Sequence, residues 1–263
     1  MNARRPVIFT HIPKAGGTTL RELLYQAAVE AGVDAQRIHV PGFGGVGFAS
    51  NTMDLAEPDL DALRSRNLLL LADHGAFGVH ERLGMPDPFY FTMLRDPEDS
   101  FVSSFYFLMR EVLVERSALH CAEFVSYFGQ PALEALVAVG RIPHINEFPK
   151  EHLARLAYEY RNPVLLFLGL PETPVGVATA QRRLREEYHF FGLLERFESS
   201  VAMLRKVLPA WIRLAEFVPR RNTGSKRPGA LDDGVRELIA ESRGLDAEIY
   251  SYARRIFETA HPA

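Results

Sequence analysis

A chain of 263 residues, 47% of them hydrophobic, is long enough to bury a full core without disulfides, as one large α/β domain or two small ones. The single cysteine, Cys121, excludes an intramolecular disulfide and any multi-cysteine zinc site, and fits a reducing cytoplasm. A formal net charge of −3 offers no bulk attraction for nucleic acid, so positive charge, where it matters, has to be local.

The basic N-terminus runs through only about six apolar residues before Pro13, too few for a signal peptide or a membrane span. Residues 6–12 read as a buried strand, and 18–31 as a helix with Leu20, Leu23, Leu24, Ala27 and Ala28 on one face. Residues 41–54 read as a glycine-rich surface loop that lacks the spacing of a dinucleotide fingerprint. Asn67–Ala72 and Phe89–Leu94 are further apolar runs, which suit a parallel sheet covered on both faces. Beyond Pro97 the pattern is mostly helical, with strands expected at Val164–Leu168 and at His189–Leu193. Pro219–Gly229 is a basic, Gly/Pro-rich loop, and two helices follow over 231–243 and 245–259. No repeat, low-complexity tract or dividing linker is visible, so a single domain over 1–263 is expected.

The most informative stretch is Val7-Ile8-Phe9-Thr10-His11-Ile12-Pro13-Lys14-Ala15-Gly16-Gly17-Thr18-Thr19-Leu20. An apolar strand meets a lysine, two glycines and two threonines, and a helix begins. Glycines let the backbone turn tightly and expose its N–H groups, and a helix start adds unpaired donors and partial positive charge. Lys14 brings a full charge, Thr18 and Thr19 bring hydroxyls, and Ala15, Gly16 and Gly17 form the turn. The set suits a phosphate-like anion. Lys14 precedes the glycines, unlike the lysine of the G-x-x-x-x-G-K-[ST] triphosphate loop. The same order of elements also serves packing alone, so a second site is needed to decide.

That second site is offered by Phe91-Thr92-Met93-Leu94-Arg95-Asp96-Pro97-Glu98-Asp99-Ser100-Phe101-Val102-Ser103, again strand, charged turn and helix. Asp96 suits the helix cap and Pro97 the first turn. Ser103 stands about two turns beyond Asp96 and returns to nearly the same face. Arg95 and Ser103 can therefore hold one phosphate from two sides, one as a charged fork and the other as a short donor. The alternative is a surface pairing of Arg95 with Asp96 or Glu98.

Together these segments resemble the sulfotransferases that use 3′-phosphoadenosine-5′-phosphosulfate (PAPS), in particular the uronyl and heparan 2-O-sulfotransferase type and its bacterial relatives. Phe191-Gly192-Leu193-Leu194-Glu195-Arg196-Phe197-Glu198-Ser199-Ser200 is similar to the family's G-L-x-E-R-F-x-x-S segment. Asn222-Thr223-Gly224-Ser225-Lys226 is similar to its late asparagine–basic loop, and residues 245–257, with Asp246, Ile249 and Tyr250, to its terminal helix. The resemblance implies a P-loop-like three-layer α/β fold, a central mostly parallel sheet flanked by helices, with a helix-rich C-terminal half. It further implies that Lys14 and the turn Ala15, Gly16, Gly17, Thr18 and Thr19 grip the 5′-phosphosulfate, and that Arg95 and Ser103 grip the 3′-phosphate. Arg221, Asn222, Ser225 and Lys226 would then belong to a lid over the cofactor phosphates, the alternative being a solvated surface loop. One departure stands out: the family usually carries a basic residue where Ser100 stands. Either the 3′-phosphate grip is weaker here, or Arg220, Arg221 or Lys226 compensates.

Of nine histidines, His74 follows the run Asn67–Ala72 directly, at a strand end where ligand sites of open parallel sheets gather. Asp73-His74-Gly75-Ala76-Phe77-Gly78 resembles the family's G-H-x-x-[FY]-G, whose histidine is the general base, with Asp73 in place of the usual glycine. That carboxylate either orients the imidazole or points away. His80, beside Glu81, reads as paired or solvated, and His11 as a support that hydrogen-bonds the loop. Phe101, Phe105 and Phe107 read as helix packing.

The implied reaction is in-line transfer of the sulfuryl group from PAPS to an acceptor hydroxyl, leaving 3′-phosphoadenosine-5′-phosphate (PAP). His74 is then the base, Lys14 stabilises the leaving phosphate, and no metal takes part. The expected acceptor is a small molecule or glycan, with carbohydrate or glycolipid foremost, and neither nucleic acid nor a transmembrane segment is expected. The rival readings are a catalytically silent PAP- or PAPS-binding module and a small-molecule kinase. Segments 41–60 and 110–150 match no family pattern; their aromatics Phe43, Phe48, Phe124, Tyr127 and Phe128 suit sugar stacking.

Overall fold

The computed structural model describes residues 4–33, 35–36, 57–66, 68–74, 77–215 and 229–260. The glycine-rich segment 41–54 and the late-loop residues Arg220, Arg221, Asn222, Ser225 and Lys226 lie outside them. The first half alternates strand and helix: β1 (Val7–Thr10), α1 (Gly17–Glu30), β2 (Ala35–Gln36), α2 (Glu57–Arg64), β3 (Leu70–Asp73), α3 (Val79–Leu83) and β4 (Phe89–Leu94). Then come α4 (Pro97–Leu113), α5 (Ala118–Phe128), α6 (Gln130–Val139), α7 (Lys150–Glu159), α8 (Pro163–Phe167) and α9 (Pro174–Glu186). The chain returns to the sheet in β5 (Phe190–Leu193) and ends in α10 (Phe197–Val207), α11 (Asp233–Ser242) and α12 (Gly244–Ala260).

The strands lie in the order β2-β3-β1-β4-β5, every pairing parallel. Val7–Thr10 and Phe89–Leu94 are buried throughout, which is why they read as unbroken apolar runs rather than as alternating ones. The chain fills one side of β1 with β2 and β3, then crosses to the other side for β4 and β5. Its order reverses between β1 and β4, the place where such sheets open a crevice at their carboxyl ends. Register aligns Thr10 with both Asp73 and Thr92, so the residues that follow β1, β3 and β4 emerge along one edge.

Two apolar clusters support this edge. One joins the sheet to α1, α8, α9, α10 and α12. The other gathers Phe101, Phe105, Leu108 and Met109 of α4 with Phe124, Phe148, Leu156 and Ile239. The second cluster corrects an expectation. Phe124 is 1% exposed within it, Phe128 packs edge-on against Phe124 and Phe148, and the Tyr127 hydroxyl donates to Glu123. These three aromatics serve packing rather than an open sugar-stacking surface.

Val164–Leu168 also departs from expectation, being helix α8 instead of a strand. Pro163 occupies its first turn, and the Asp246 carboxylate on α12 accepts the N–H groups of Val164 at 2.8 Å and Leu165 at 3.2 Å. A short, largely buried apolar run has the same composition in either state, and here the deciding cap comes from 82 positions away. The expected strand at His189–Leu193 is present as β5. Among the described residues, no helix is long and apolar enough to cross a membrane.

Candidate anion and base site

After β1 the backbone turns through two left-handed residues, Lys14 at φ 63° and Gly16 at φ 81°. A lysine in that region costs roughly 1–2 kcal/mol, strain of the kind that gathers at functional turns. Gly16 caps α1 without a side-chain hydrogen bond, and the first turn of α1 holds no acidic residue. The positive end of the helix dipole therefore lacks an acidic complement from its own turn. A side chain at Gly16 would also strike the Leu194 methyl, its Cβ lying 2.6 Å from Cδ1.

Positive charge collects around this turn. The Lys14 ammonium sits over the Phe107 ring of α4, 4.1 Å from its centre, and Arg95 donates to the Lys14 carbonyl at 3.1 Å. That bond spans the β1/β4 crevice and brings the two sequence-predicted anion sites into contact. Asp96 uses its carboxylate to cap α4, accepting from the N–H groups of Glu98 and Asp99, while Glu98 faces Arg236 at 3.7 Å. Burial lowers the Lys14 pKa from 10.5 to about 8, and Arg95 and Arg110 push it the same way against Glu111. A bound anion would act in the opposite sense.

Ser103 is half-buried on α4, with Phe107 one turn and Arg110 two turns further along the same face. Phe101 and Phe105 are core residues, as expected, but Phe107 is not one of them. Its ring is the seat of the Lys14 ammonium, and Arg110 also lies against it at 5.7 Å. The sequence gives no sign of this, because the partner is brought in by the fold.

Glu195 supports the Arg95 turn from behind. One carboxylate oxygen accepts the Asp96 N–H at 3.0 Å, and the other accepts the Tyr250 hydroxyl of α12 at 2.8 Å. Residues 191–200 and 245–257 thus meet through Glu195 and Tyr250 behind the Arg95 turn.

His74, directly after β3, stands on the other flank of the loop. Its Nδ1 lies 2.9 Å from the His11 carbonyl oxygen, which can only accept, so Nδ1 carries the proton. In the neutral ring Nε2 is then the atom that can take one up. The ring stacks on His11 with centroids 4.2 Å apart and an interplanar angle of 18°, and meets Phe167 at 5.3 Å. His80 is placed differently. The Tyr90 hydroxyl accepts the Gly78 N–H at 3.2 Å and is hydrogen-bonded to His80 Nδ1 at 2.9 Å. That contact ties His80 into an aromatic cluster of Phe77, Tyr90 and Tyr188. The Asp73 side chain lies outside what is described.

The chain matches no known family in a scan of protein-family models, and no curated protein matches it. The geometry carries the reading.

His11, expected to support the loop by hydrogen bonding, accepts from His74 Nδ1 through its carbonyl, while its own Nδ1 is buried with no hydrogen-bond partner among the described residues and its ring packs on His74. For Ser100 the expectation is either a weaker 3′-phosphate grip or compensation by Arg220, Arg221 or Lys226, and those three lie outside the described residues. The Ser100 hydroxyl itself accepts at 3.1 Å from Arg243, which is 2% exposed at the end of α11. Sequence reasoning missed it because 143 positions separate the two residues.

Proposed function

We propose that this chain is a PAPS-dependent sulfotransferase with a P-loop-like fold, transferring a sulfuryl group to a hydroxyl of a carbohydrate or glycolipid acceptor. One observation carries the reading. Along a single sheet edge, a histidine with its tautomer set for proton uptake flanks a glycine turn ringed by Lys14, Arg95 and Arg110. The sheet order β2-β3-β1-β4-β5, with the turn at its point of reversal, supports a P-loop-like assignment.

The residues present fit an anionic donor of this kind. At Lys14 burial and the like charges of Arg95 and Arg110 outweigh the opposing Glu111 carboxylate, so a further anion is favoured, and the first turn of α1 holds no acidic residue. PAPS supplies an activated sulfuryl group on a phosphate leaving group. Lys14, protonated for the most part at neutral pH, neutralises charge that grows on that phosphate, and the N–H groups of Gly17 and Thr18 add to it. Arg95 and Ser103 hold the distant 3′-phosphate and so position rather than react. His74 takes the acceptor proton at Nε2 as its Nδ1–H stays on the His11 carbonyl.

Calorimetric titration with PAP, followed by transfer from ³⁵S-labelled PAPS to a panel of glycans, glycolipids and phenols, tests the proposal. PAP binding together with transfer that disappears in His74→Ala is the expected result. Absence of PAP binding overturns the whole reading, and binding without transfer to any acceptor overturns the catalytic part in favour of a silent binding module.

A further inference from the structure

We propose that His11 is a positioning residue that couples the anion loop to His74. The inference rests on the transfer reaction proposed above. His11 is 5% exposed and lies in a run of near-parallel rings: Phe91 on Phe9 at 4.8 Å, Phe9 on His11 at 5.6 Å, and His11 on His74 at 4.2 Å. The same residue supplies the carbonyl that fixes the His74 tautomer, so both the ring plane and the proton position of His74 derive from one neighbour.

On its other side the His11 ring presses against the start of α1. A Cβ at Gly17 would fall 1.8 Å from its Cδ2 and 2.1 Å from its Nε2, so position 17 admits only glycine while the imidazole stands there. The anion turn and the base are thus in contact through a single side chain. A shift of the turn moves His11, and His11 moves His74.

The chemistry of that side chain suits the task. An aliphatic residue would fill the space but present no flat face to a second ring. Burial, reinforced by the positive charges of His74, Arg21 and Lys14, holds the His11 pKa well below its usual value, so this ring stays neutral as His74 gains a proton. A neutral π-face attracts the imidazolium that forms on His74, whereas a second imidazolium would repel it. The buried Nδ1 with no described partner is the penalty accepted for this arrangement, since an unsatisfied buried polar atom is disfavoured by about 1–3 kcal/mol.

The test compares His11→Ala, His11→Asn and Gly17→Ala in three measurements: PAP binding by calorimetry, kcat with PAPS, and the His74 ring resonances and tautomer by ¹⁵N-histidine NMR. For His11→Ala, which keeps the backbone carbonyl and so the Nδ1–H bond, we expect unchanged PAP binding, kcat lower by about 10- to 100-fold, and His74 ring resonances shifted with the Nδ1–H tautomer retained. His11→Asn, which keeps a flat neutral group, should recover part of both. Gly17→Ala should lose PAP binding and disturb the His74 resonance together. The proposal is overturned if His11→Ala leaves kcat and the His74 ring resonances unchanged, or if it weakens PAP binding as much as turnover, which would make His11 a loop support only. Should the unaltered protein show no transfer, the sulfotransferase reading fails while the NMR comparison still decides the role of His11.

Discussion

Two cations, the half-buried Lys14 of the glycine turn and the buried Arg243 beneath α4, differ in the balance of charge around them. Lys14 shares its place with Arg95 and Arg110, and these neighbours add to burial in lowering its pKa to about 8. Arg243 is lowered by burial to about 10, but Asp246 opposes that shift, and the Ser100 hydroxyl accepts its proton. At Lys14 the neighbouring cations outweigh its opposing carboxylate, Glu111, a balance that suits the proposed anion, whereas at Arg243 the carboxylate Asp246 is the larger neighbouring influence. Asp246 shows the converse of Lys14: burial raises its pKa, while two backbone N–H donors and Arg243 draw it back down.

The sharpest way to break this comparison is Lys14→Met. Turnover should fall by about 10²- to 10³-fold, the usual effect of removing a donor aimed at developing negative charge. Stability should move the other way. The folded pKa of Lys14 lies below its unfolded value, so between about pH 8 and 10.5 the unfolded chain binds more protons and the unaltered protein gains stability as pH rises. Below pH 8 the full penalty applies, on the order of 3 kcal/mol before solvent screening reduces it. Lys14→Met should therefore be the more stable protein at pH 7, with the gap closing toward pH 10.5 in urea denaturation. A less stable variant at pH 7 would show that Lys14 has a structural partner.

Arg243→Met should behave in the reverse sense, losing about 3 kcal/mol of stability with PAP binding unchanged, since it strips a partner from a buried charged cluster. PAP binding that weakens instead would move Arg243 into the anion site and erase the distinction. Arg95→Ala should raise the PAP dissociation constant by about 10- to 100-fold, as loss of a charge-assisted contact does, with little change in turnover at saturation. The smallest effect belongs to Asp96→Ala. Loss of the α4 cap should lower stability by about 1 kcal/mol, read as a shift in the urea midpoint.

What could be read from sequence was whatever lies close together along the chain. The turn from Lys14 to Thr19 and the capped start of α4 at Asp96 and Pro97 are local, and both stand where their residue order places them. His74 was found by its position after an apolar run, and β3 ends at Asp73 accordingly. What could not be read are the long-range pairings. Phe107 looks like any apolar helix residue until the fold lays Lys14 over it. Ser100 stands out in sequence only for the charge it lacks and Arg243 not at all, and α8 is a helix because Asp246 caps it from α12. His11 sits within the motif, yet its role depends on the His74 ring that β3 delivers to its face.

The Glu195 bridge has a consequence for how this protein is made. Glu195 is 99 positions from the Asp96 backbone it holds and 55 from the Tyr250 hydroxyl that holds it. During synthesis the glycine turn and the Arg95 turn leave the ribosome long before α12 does. The nascent chain therefore carries both halves of the proposed anion site before Tyr250 can hold Glu195, which waits on the docking of α12. Contacts of such sequence separation form late and slowly. Binding competence should accordingly appear as a final, cooperative step rather than accumulate with chain length.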